Sequence, residues 1–191
     1  PGLDVFSGAT FSAGTLIPEA TIDTALQSNW RIFPGAYFAL DTSLGDRTFT
    51  LTINDPPDPN NPGNTGPLNF SKNGTNTLRM MAAQNYTGDT RIAEGAMVIG
   101  QTAALPGYNV TGDFSVESGA ALGVVSALSD QVVADLLATG NFQPNSSIAF
   151  DTTDGDRTYS VNVIDAASGS GALGVTKTGT GTLELSGTNT Y

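Results

Sequence analysis

Residues 39–49 read ALDTSLGDRTF and residues 149–159 read AFDTTDGDRTY, so one eleven-residue stretch occurs twice, 110 residues apart. Seven of the eleven positions are identical. A second match follows each copy, with KNGTNTLRMMAAQNY at 72–86 and KTGTGTLELSGTNTY at 177–191, 105 residues apart. Long units that are built of short segments and repeated head to tail are typical of stacked architectures. The repeat therefore predicts a solenoid or a string of β-domains.

The two spacings differ because of one loop. The stretch PPDPNNPGNTGP at 56–67 is rich in Pro, Asn and Gly, which favour turns, and we interpret it as an insertion in the first copy. Residues 1–86 are then a partial first repeat unit, and residues 87–191 are a second unit. We expect the two units to form one continuous solenoid.

Short apolar runs separated by turn residues indicate an all-β protein. The runs at 96–99 (AMVI) and 114–116 (FSV) are apolar or alternate, as strands with one buried face do. The pattern predicts a parallel β-helix (β-solenoid) whose coils stack at roughly 4.8 Å, with apolar columns inside. Asn73-Gly74 and similar pairs supply positive φ at its corners. Tandem antiparallel β-sandwich units fit the composition equally well and stay open as the alternative.

One stretch in each unit has a helical pattern. Ser129 and Asp130 are placed to cap a helix that ends at Gly140, and its buried face is predicted to be Val132, Val133, Leu136 and Leu137. The counterpart begins near Pro18-Glu19 and presents Ile22, Ala25 and Leu26. We interpret both as short helical inserts that pack against the solenoid, not as partner-binding helices.

Charge and composition exclude several classes of function. The chain has 7 Lys and Arg against 18 Asp and Glu, a net charge of −11, which disfavours nucleic acid and anionic membranes as partners. It contains no Cys and no His, so there is no disulfide and the commonest general base is missing. No apolar run is long enough to span a bilayer. The chain begins at Pro1 without a signal segment, so we expect it to be an interior piece of a longer precursor.

Three aspartates in the motif DTTDGDRT weakly resemble a Ca²⁺ loop, with Asp151, Asp154 and Asp156 as the candidate ligands. Calcium takes six to eight oxygens, commonly with a bidentate Glu, and the order here is wrong for an EF-hand. The first copy also has Leu44 where the second has Asp154. A corner turn with Gly155 at positive φ is the favoured interpretation, and we predict no metal site.

Paired carboxylates would suit a glycosidase or a polysaccharide lyase, which is the enzymatic alternative. Asp41 of the first copy recurs as Asp151 in the second, and Asp46 recurs as Asp156. Recurrence indicates a structural role, because a catalytic pair of carboxylates is needed only once. In the turn itself we expect Arg157 to pair near Asp156. We therefore predict no catalytic residue, no cofactor and no enzymatic activity.

The stretch VTKTGTGTLELSGTNTY at 175–191 resembles the autotransporter-associated β-strand repeat. The first copy is a divergent match that keeps the family's residues at Lys72, Gly74, Thr77, Leu78 and Tyr86. The resemblance implies a right-handed parallel β-helix passenger that is exported by type V secretion or belongs to a large surface protein of a Gram-negative bacterium. The family pattern carries no catalytic residues to transfer.

Within this repeat, alternation gives each side chain an expected place. Leu183 and Leu185 are predicted to face the core, and Lys177 is predicted to be a solvated residue on the flank that discourages edge pairing. Tyr191 is expected to stack over the next coil.

The function predicted from these features is structural. We expect a repeat module of a large extracellular fibre, stalk or autotransporter passenger, with roles in spacing, adhesion and filament cohesion. Its expected partners are adjacent repeats of the same chain or identical subunits end to end. The alternative is a carbohydrate- or receptor-binding adhesin module that meets glycans or a host surface through the loop at 56–67 and the helical inserts.

Overall fold

A computed structural model describes residues 4–22, 31–61, 63–165 and 172–191. These residues contain fifteen strands and one complete α-helix: β1 (Asp4–Val5), β2 (Thr10–Gly14), β3 (Arg31–Ile32), β4 (Tyr37–Asp41), β5 (Arg47–Phe49), β6 (Asn69–Asn73), β7 (Thr77–Met80), β8 (Thr90–Ile92), β9 (Ala96–Ile99), β10 (Phe114–Val116), β11 (Ala121–Val125), α1 (Asp130–Ala138), β12 (Ser147–Asp151), β13 (Arg157–Tyr159), β14 (Gly174–Thr178) and β15 (Leu183–Leu185).

The strands form a parallel β-solenoid. Sheet one stacks β2, β4, β6, β8 and β10 in that order, and sheet two stacks β5, β7, β9, β11, β12 and β14. Two short pairs, β1 with β3 and β13 with β15, belong to a third side. Every strand pairing among the described residues is parallel, and the antiparallel bridge between Pro57 and Thr65 lies within the loop. The predicted β-helix is confirmed, and the sandwich alternative is wrong.

Stacked side chains fill the axis of the solenoid. In sheet one Phe11, Phe38 and Phe70 follow one another, with ring centroids 5.7 and 6.2 Å apart, and Tyr86 lies 5.8 Å from Phe70. In sheet two one register column contains Leu78, Met97, Leu122, Ile148 and Val175. The first four of that column are fully buried, and burial of each such side chain contributes about 1.5–3 kcal/mol.

The sequence repeat and the coil have different periods. β4 and β12 occupy equivalent places in the sequence repeat, yet β4 belongs to sheet one and β12 to sheet two. In the described part of the chain, sheet one continues past β10 as a parallel bridge from Val116 to Phe142, shortly before β12. One repeat therefore advances the chain by four coils plus one side, so equivalent motifs lie on different faces of the solenoid.

The helical inserts are confirmed where the structure describes them. α1 buries Val132, Val133, Leu136 and Leu137, and Gly140 at φ 70° follows its end. Ser129 occupies the N-cap position but makes no side-chain cap hydrogen bond, so the predicted Ser129 cap is wrong. In the first copy residues 19–22 are helical and Ile22 is buried, while Ala25 and Leu26 lie outside the described residues.

Sheet two is sharply curved at β11. Some Cα atoms of β9 and β12 lie within 8 Å of each other across β11, whereas two ladder steps of a flat sheet span about 9.6 Å. Small side chains occupy the inside of this curve, where Ala96, Ala121 and Ala149 form a buried cluster. Gly123 lies among them, and a Cβ there would stand 2.5 Å from the Cβ of Ala149. The solenoid therefore bends towards the outer face of sheet two.

Candidate functional site

The same side-chain hydrogen bonds occur at two corner turns, residues 41–47 (the first corner) and 151–157 (the second corner). Each begins with an aspartate that fixes the turn. Asp41 Oδ1 accepts hydrogen bonds from the Ser43 amide (2.8 Å) and hydroxyl (2.5 Å), and Asp151 Oδ1 accepts from the Thr153 amide (3.0 Å) and hydroxyl (2.6 Å). The hydrogen bonds from Ser43 hold the pKa of Asp41 below its ordinary value.

The next residue of each corner reaches into the following coil. The Thr42 hydroxyl lies 2.9 Å from the Asn76 carbonyl oxygen, and the Thr152 hydroxyl lies 3.0 Å from that of Gly181. Both threonines are fully buried, so these bonds give a partner to hydroxyls that water does not reach. This threonine pair therefore ties each corner to the coil stacked on it.

The second aspartate of each corner makes a similar bond. Asp46 Oδ1 accepts from the Thr77 amide at 2.8 Å, and Asp156 Oδ1 accepts from the Thr182 amide at 2.6 Å. The recurring aspartates of the DRT motif are thus bound to backbone amides of the neighbouring coil in both copies. Their recurrence reflects this structural bond.

The arginine of each corner points to the preceding coil. Arg47 donates to the carbonyls of Gly14 (2.9 Å) and Ile17 (2.8 Å). Arg157 donates to the Val125 carbonyl at 2.8 Å and to Asp130 Oδ1 at 3.3 Å. The expectation that Arg157 pairs near Asp156 is therefore wrong, because the Asp156 carboxylate is directed to the next coil and Arg157 to the previous one.

An acidic residue in the first turn of each helix completes the corner. Glu19 accepts from the Thr50 amide (2.8 Å) and hydroxyl (2.6 Å), and Asp130 accepts from the Ser160 amide (2.9 Å) and hydroxyl (2.8 Å). Burial opposes ionisation of Asp130, but the bonds from Ser160 and the charge of Arg157 hold its pKa below the ordinary value. These carboxylates attach each helix to the strand that follows the corner.

Lys72 lies inside the solenoid. It is fully buried in an inward column between Leu40 and Ile92, and its ammonium donates to three backbone carbonyls, those of Asn73 (3.1 Å), Gly74 (2.5 Å) and Glu94 (2.8 Å). Desolvation lowers its pKa to about 8, although nearby carboxylates act in the opposite direction.

The equivalent residue of the second copy is Lys177. It is exposed, as predicted, but it stands in the inward column in register with Phe150, so its predicted place on the flank is wrong. Its ammonium donates to the Gly179 carbonyl at 2.9 Å, the counterpart of the bond from Lys72 to Gly74.

The bend brings the two corners together around one cleft. Its cavity of about 130 Å³ is lined by residues of both copies: Asp46, Arg47, Thr48, Thr77, Arg79, Asp151, Thr153, Thr178 and Gly179. Arg79 of β7 crosses the cleft. Its Nε lies 2.8 Å from Asp151 Oδ2, and its guanidinium also pairs with Asp154.

The candidate calcium ligands have protein partners. Asp151 is held by Thr153 and Arg79, Asp154 pairs with Arg79, and Asp156 accepts from the following coil. Across the four described ranges, no group of three or more acidic side chains is placed to hold a metal ion. Gly155 has φ 146°, a positive value as predicted for the turn.

Comparison with protein families adds a second line of evidence. Residues 70–99 and 175–191 match the family model described as the passenger-associated-transport-repeat. These two segments are similar to the passenger-associated-transport-repeat. The resemblance to autotransporter passenger repeats that the Lys-to-Tyr core carries is confirmed by this match. Searches of curated proteins and of solved structures each found no match.

The matched segments contain the coils that stack on the two corners. The first passenger-associated transport repeat runs from β6 to β9 and so includes two consecutive coils, and the second includes most of β14 and all of β15. Both contain the lysine of the inward column, Lys72 or Lys177, and the glycine that follows it by two residues, Gly74 or Gly179. The repeat motif is therefore a means of joining one coil to the next.

Sequence reasoning missed the contacts made across long separations. Neither the ion pairs of Arg79 nor the bonds from Glu19 and Asp130 to the strand after each corner follow from the sequence patterns. One sequence feature does point to such a contact. The second copy has Asp154 where the first has Leu44, and Asp154 is the residue that pairs with Arg79. No helix within the described residues combines the length and the apolar character needed to cross a bilayer.

Proposed function

We propose that this chain is a structural module of an extracellular surface fibre, stalk or autotransporter passenger, located outside a Gram-negative cell. Its work is spacing and cohesion: each coil supplies a platform on which the next coil stacks. The observation that carries the proposal is that the repeated residues of both copies bind neighbouring coils. Thr42, Asp46 and Lys72 all do so, and so do their counterparts in the second copy wherever a coil follows.

Non-enzymatic work is part of the same proposal. The carboxylates of the corners are engaged by backbone amides, hydroxyls or arginine, and the passenger-associated transport repeat is a structural family. A pair of carboxylates used in hydrolysis needs a free acid and a free base around a substrate. The corner carboxylates instead serve the stacking of coils.

The unit boundary is proposed between residues 86 and 87. A chain with one more copy of residues 87–191 after Tyr191 tests the scaffold proposal directly. Four coils and one further side correspond to roughly 20 Å along the stacking direction. We expect small-angle scattering to show a particle longer by about that amount. A particle that gains a second compact body on a flexible link would contradict the scaffold.

A binding role for the loop at 56–67 is the second candidate. The bridge between Pro57 and Thr65 closes the loop, and the Asp58 amide donates to the Asn64 carbonyl at 2.9 Å. Asn60 and Asn61 lie at its tip, and both are exposed. A closed, polar hairpin projecting from a scaffold suits contact with glycan hydroxyls. Glycan-array binding that is lost when the loop is shortened would favour this adhesin function, and an array without signal would count against it.

A further inference from the structure

The last coil, formed by β14 and β15, repeats the coil formed by β6 and β7, but with one side open. In the earlier coil Lys72, Leu78 and Met80 are fully buried, because β8 and β9 lie over them. Their counterparts Lys177, Leu183 and Leu185 are exposed or half-buried. In the described part of the chain, no strand pairs with β14 or β15 on the side away from β12 and β13.

The earlier coil also shows which atoms a covering coil supplies. Two of the three carbonyls bound by Lys72 belong to its own corner, those of Asn73 and Gly74, and the third is that of Glu94 in the covering coil. Lys177 has the own-corner bond to Gly179. The carbonyl that would correspond to that of Glu94 comes from no described residue.

In the covering coil, Glu94, whose backbone carbonyl accepts from Lys72, is followed by a residue that must be glycine, Gly95. Gly95 has φ 62°, and a Cβ there would stand 2.6 Å from the carbonyl oxygens of Gly74 and Asn76. Any side chain at that place would press into the corner below. The corners of the two copies have the same form, since Gly179 and Gly181 stand at the positions of Gly74 and Asn76.

We propose that the open face of β14 and β15 is a docking surface for one coil of stated chemistry, a segment with the apolar alternation of residues 90–99 and a Glu-Gly corner. Lys177 is the residue that recognises it, by donating a hydrogen bond to the backbone carbonyl of that glutamate. The inference rests on the scaffold function proposed above and adds the chemistry of the joint. Hydrogen bonds from a buried ammonium are the strong class, because the charge assists them.

The test extends the full chain with its own covering segment. Residues 87–107 are appended after Tyr191, where they follow the same tyrosine as in the first copy, and amide hydrogen exchange of β14 and β15 is measured. The control extension has the same composition in scrambled order. We expect the native-order extension to slow exchange of those amides at least about tenfold, and the scrambled one to leave it unchanged.

Lys177→Met then isolates the recognition. In the extended chain, we expect this variant to raise the exchange rates of the β14 and β15 amides about tenfold or more. In the chain that ends at Tyr191, we expect it to leave those rates nearly unchanged. Equal protection by the scrambled extension, or no protection by the native one, overturns the docking surface. Full protection in the Lys177→Met chain overturns the role of the lysine while leaving the scaffold function, tested separately by particle length, in place.

Discussion

Arg79 Nε and Asp151 Oδ2 lie 2.8 Å apart, although three ladder steps of sheet two separate β7 from β12. In a flat sheet those steps alone span about 14 Å, more than the two side chains can bridge. The pair therefore exists only because the solenoid bends at β11. It joins β7 of the first unit to the second corner and fixes the bend, which lies within the second unit.

Removing the arginine should open the bend and destabilise the fold. Asp151 is 1% exposed, and Arg79→Met leaves its charge buried without the cation, which typically costs about 3 kcal/mol or more. The matched control is Arg91→Met, because Arg91 pairs with Glu117 at 3.0 Å while 52% exposed, a pair worth below about 1 kcal/mol. Urea unfolding compares the two variants. Equal losses in both would contradict the bend-fixing role.

The glycine inside the curve should tolerate no side chain. Gly123→Ala places a Cβ against Ala149, and overpacking of this kind costs about 1–3 kcal/mol or forces sheet two to flatten. Gly14→Ala is the control, since a Cβ there meets nothing within 4 Å. Paired spin labels at Thr48 and Thr176, five ladder steps apart in one column, report the curvature.

In the native chain we expect the Thr48 and Thr176 labels to be closer than the roughly 24 Å of five flat ladder steps. The separation should increase in Gly123→Ala and stay constant in Gly14→Ala. An unchanged separation together with unchanged stability in Gly123→Ala would show that the close approach to Ala149 is not a constraint.

The corner glycine is required for two separate reasons. Gly74 has φ 80°, and a Cβ there would stand 2.7 Å from the Thr42 carbonyl carbon of the coil below. Gly8 has nearly the same φ, 76°, with nothing within 4 Å of such a Cβ. Gly8→Ala should therefore cost only the conformational strain of about 1 kcal/mol, and Gly74→Ala distinctly more. Thermal unfolding of both variants measures the difference, and similar losses would refute the contact between coils.

The buried lysine predicts a pH dependence of stability. Its pKa is lowered to about 8 in the folded chain, whereas an unfolded lysine titrates near 10.4. Between those values the unfolded chain binds more protons, so the free energy of unfolding should rise with pH across that window, and below about pH 8 this lysine gives no slope.

Urea unfolding at pH 7, 8.5 and 9.5 measures the slope, with Lys72→Met as the variant that should abolish this part of it. The same slope in both chains would show that Lys72 is not the group responsible. Replacing the lysine also leaves the carbonyls of Asn73, Gly74 and Glu94 without their donor, so we expect the variant to be less stable at every pH.

Much of the fold could be predicted because its signals are local. The repeated DTxxGDRT motif, the alternation around Leu183 and Leu185 and the helical spacing from Val132 to Leu137 each depend on neighbouring residues. Stacking of equivalent segments follows once a repeat of short strands is recognised. The direction of strand pairing could not be decided, because alternation is the same in parallel and antiparallel sheets.

The contacts of the site depended on coil lengths that no local pattern encodes. Coils of unequal length place β4 and β12 on different sheets, and this sets which residues meet across the bend, such as Arg79 and Asp154. The sequence predicts a place on the flank for Lys177 because a lysine is usually solvated. Lys177 nevertheless stands in register with Phe150, and the buried ammonium of Lys72 is held by carbonyls of its own corner and of the covering coil.

The central claim is that successive coils stack in parallel register, and the absence of cysteine from the chain allows a clean measurement of it. Ser12 and Ser115 stand in one outward column of sheet one, four ladder steps apart. Spin labels attached to Ser12→Cys and Ser115→Cys should give one narrow distance distribution by pulsed electron paramagnetic resonance, consistent with a backbone separation of about 19 Å. A broad distribution, or one centred far beyond that separation, would contradict the stacked solenoid.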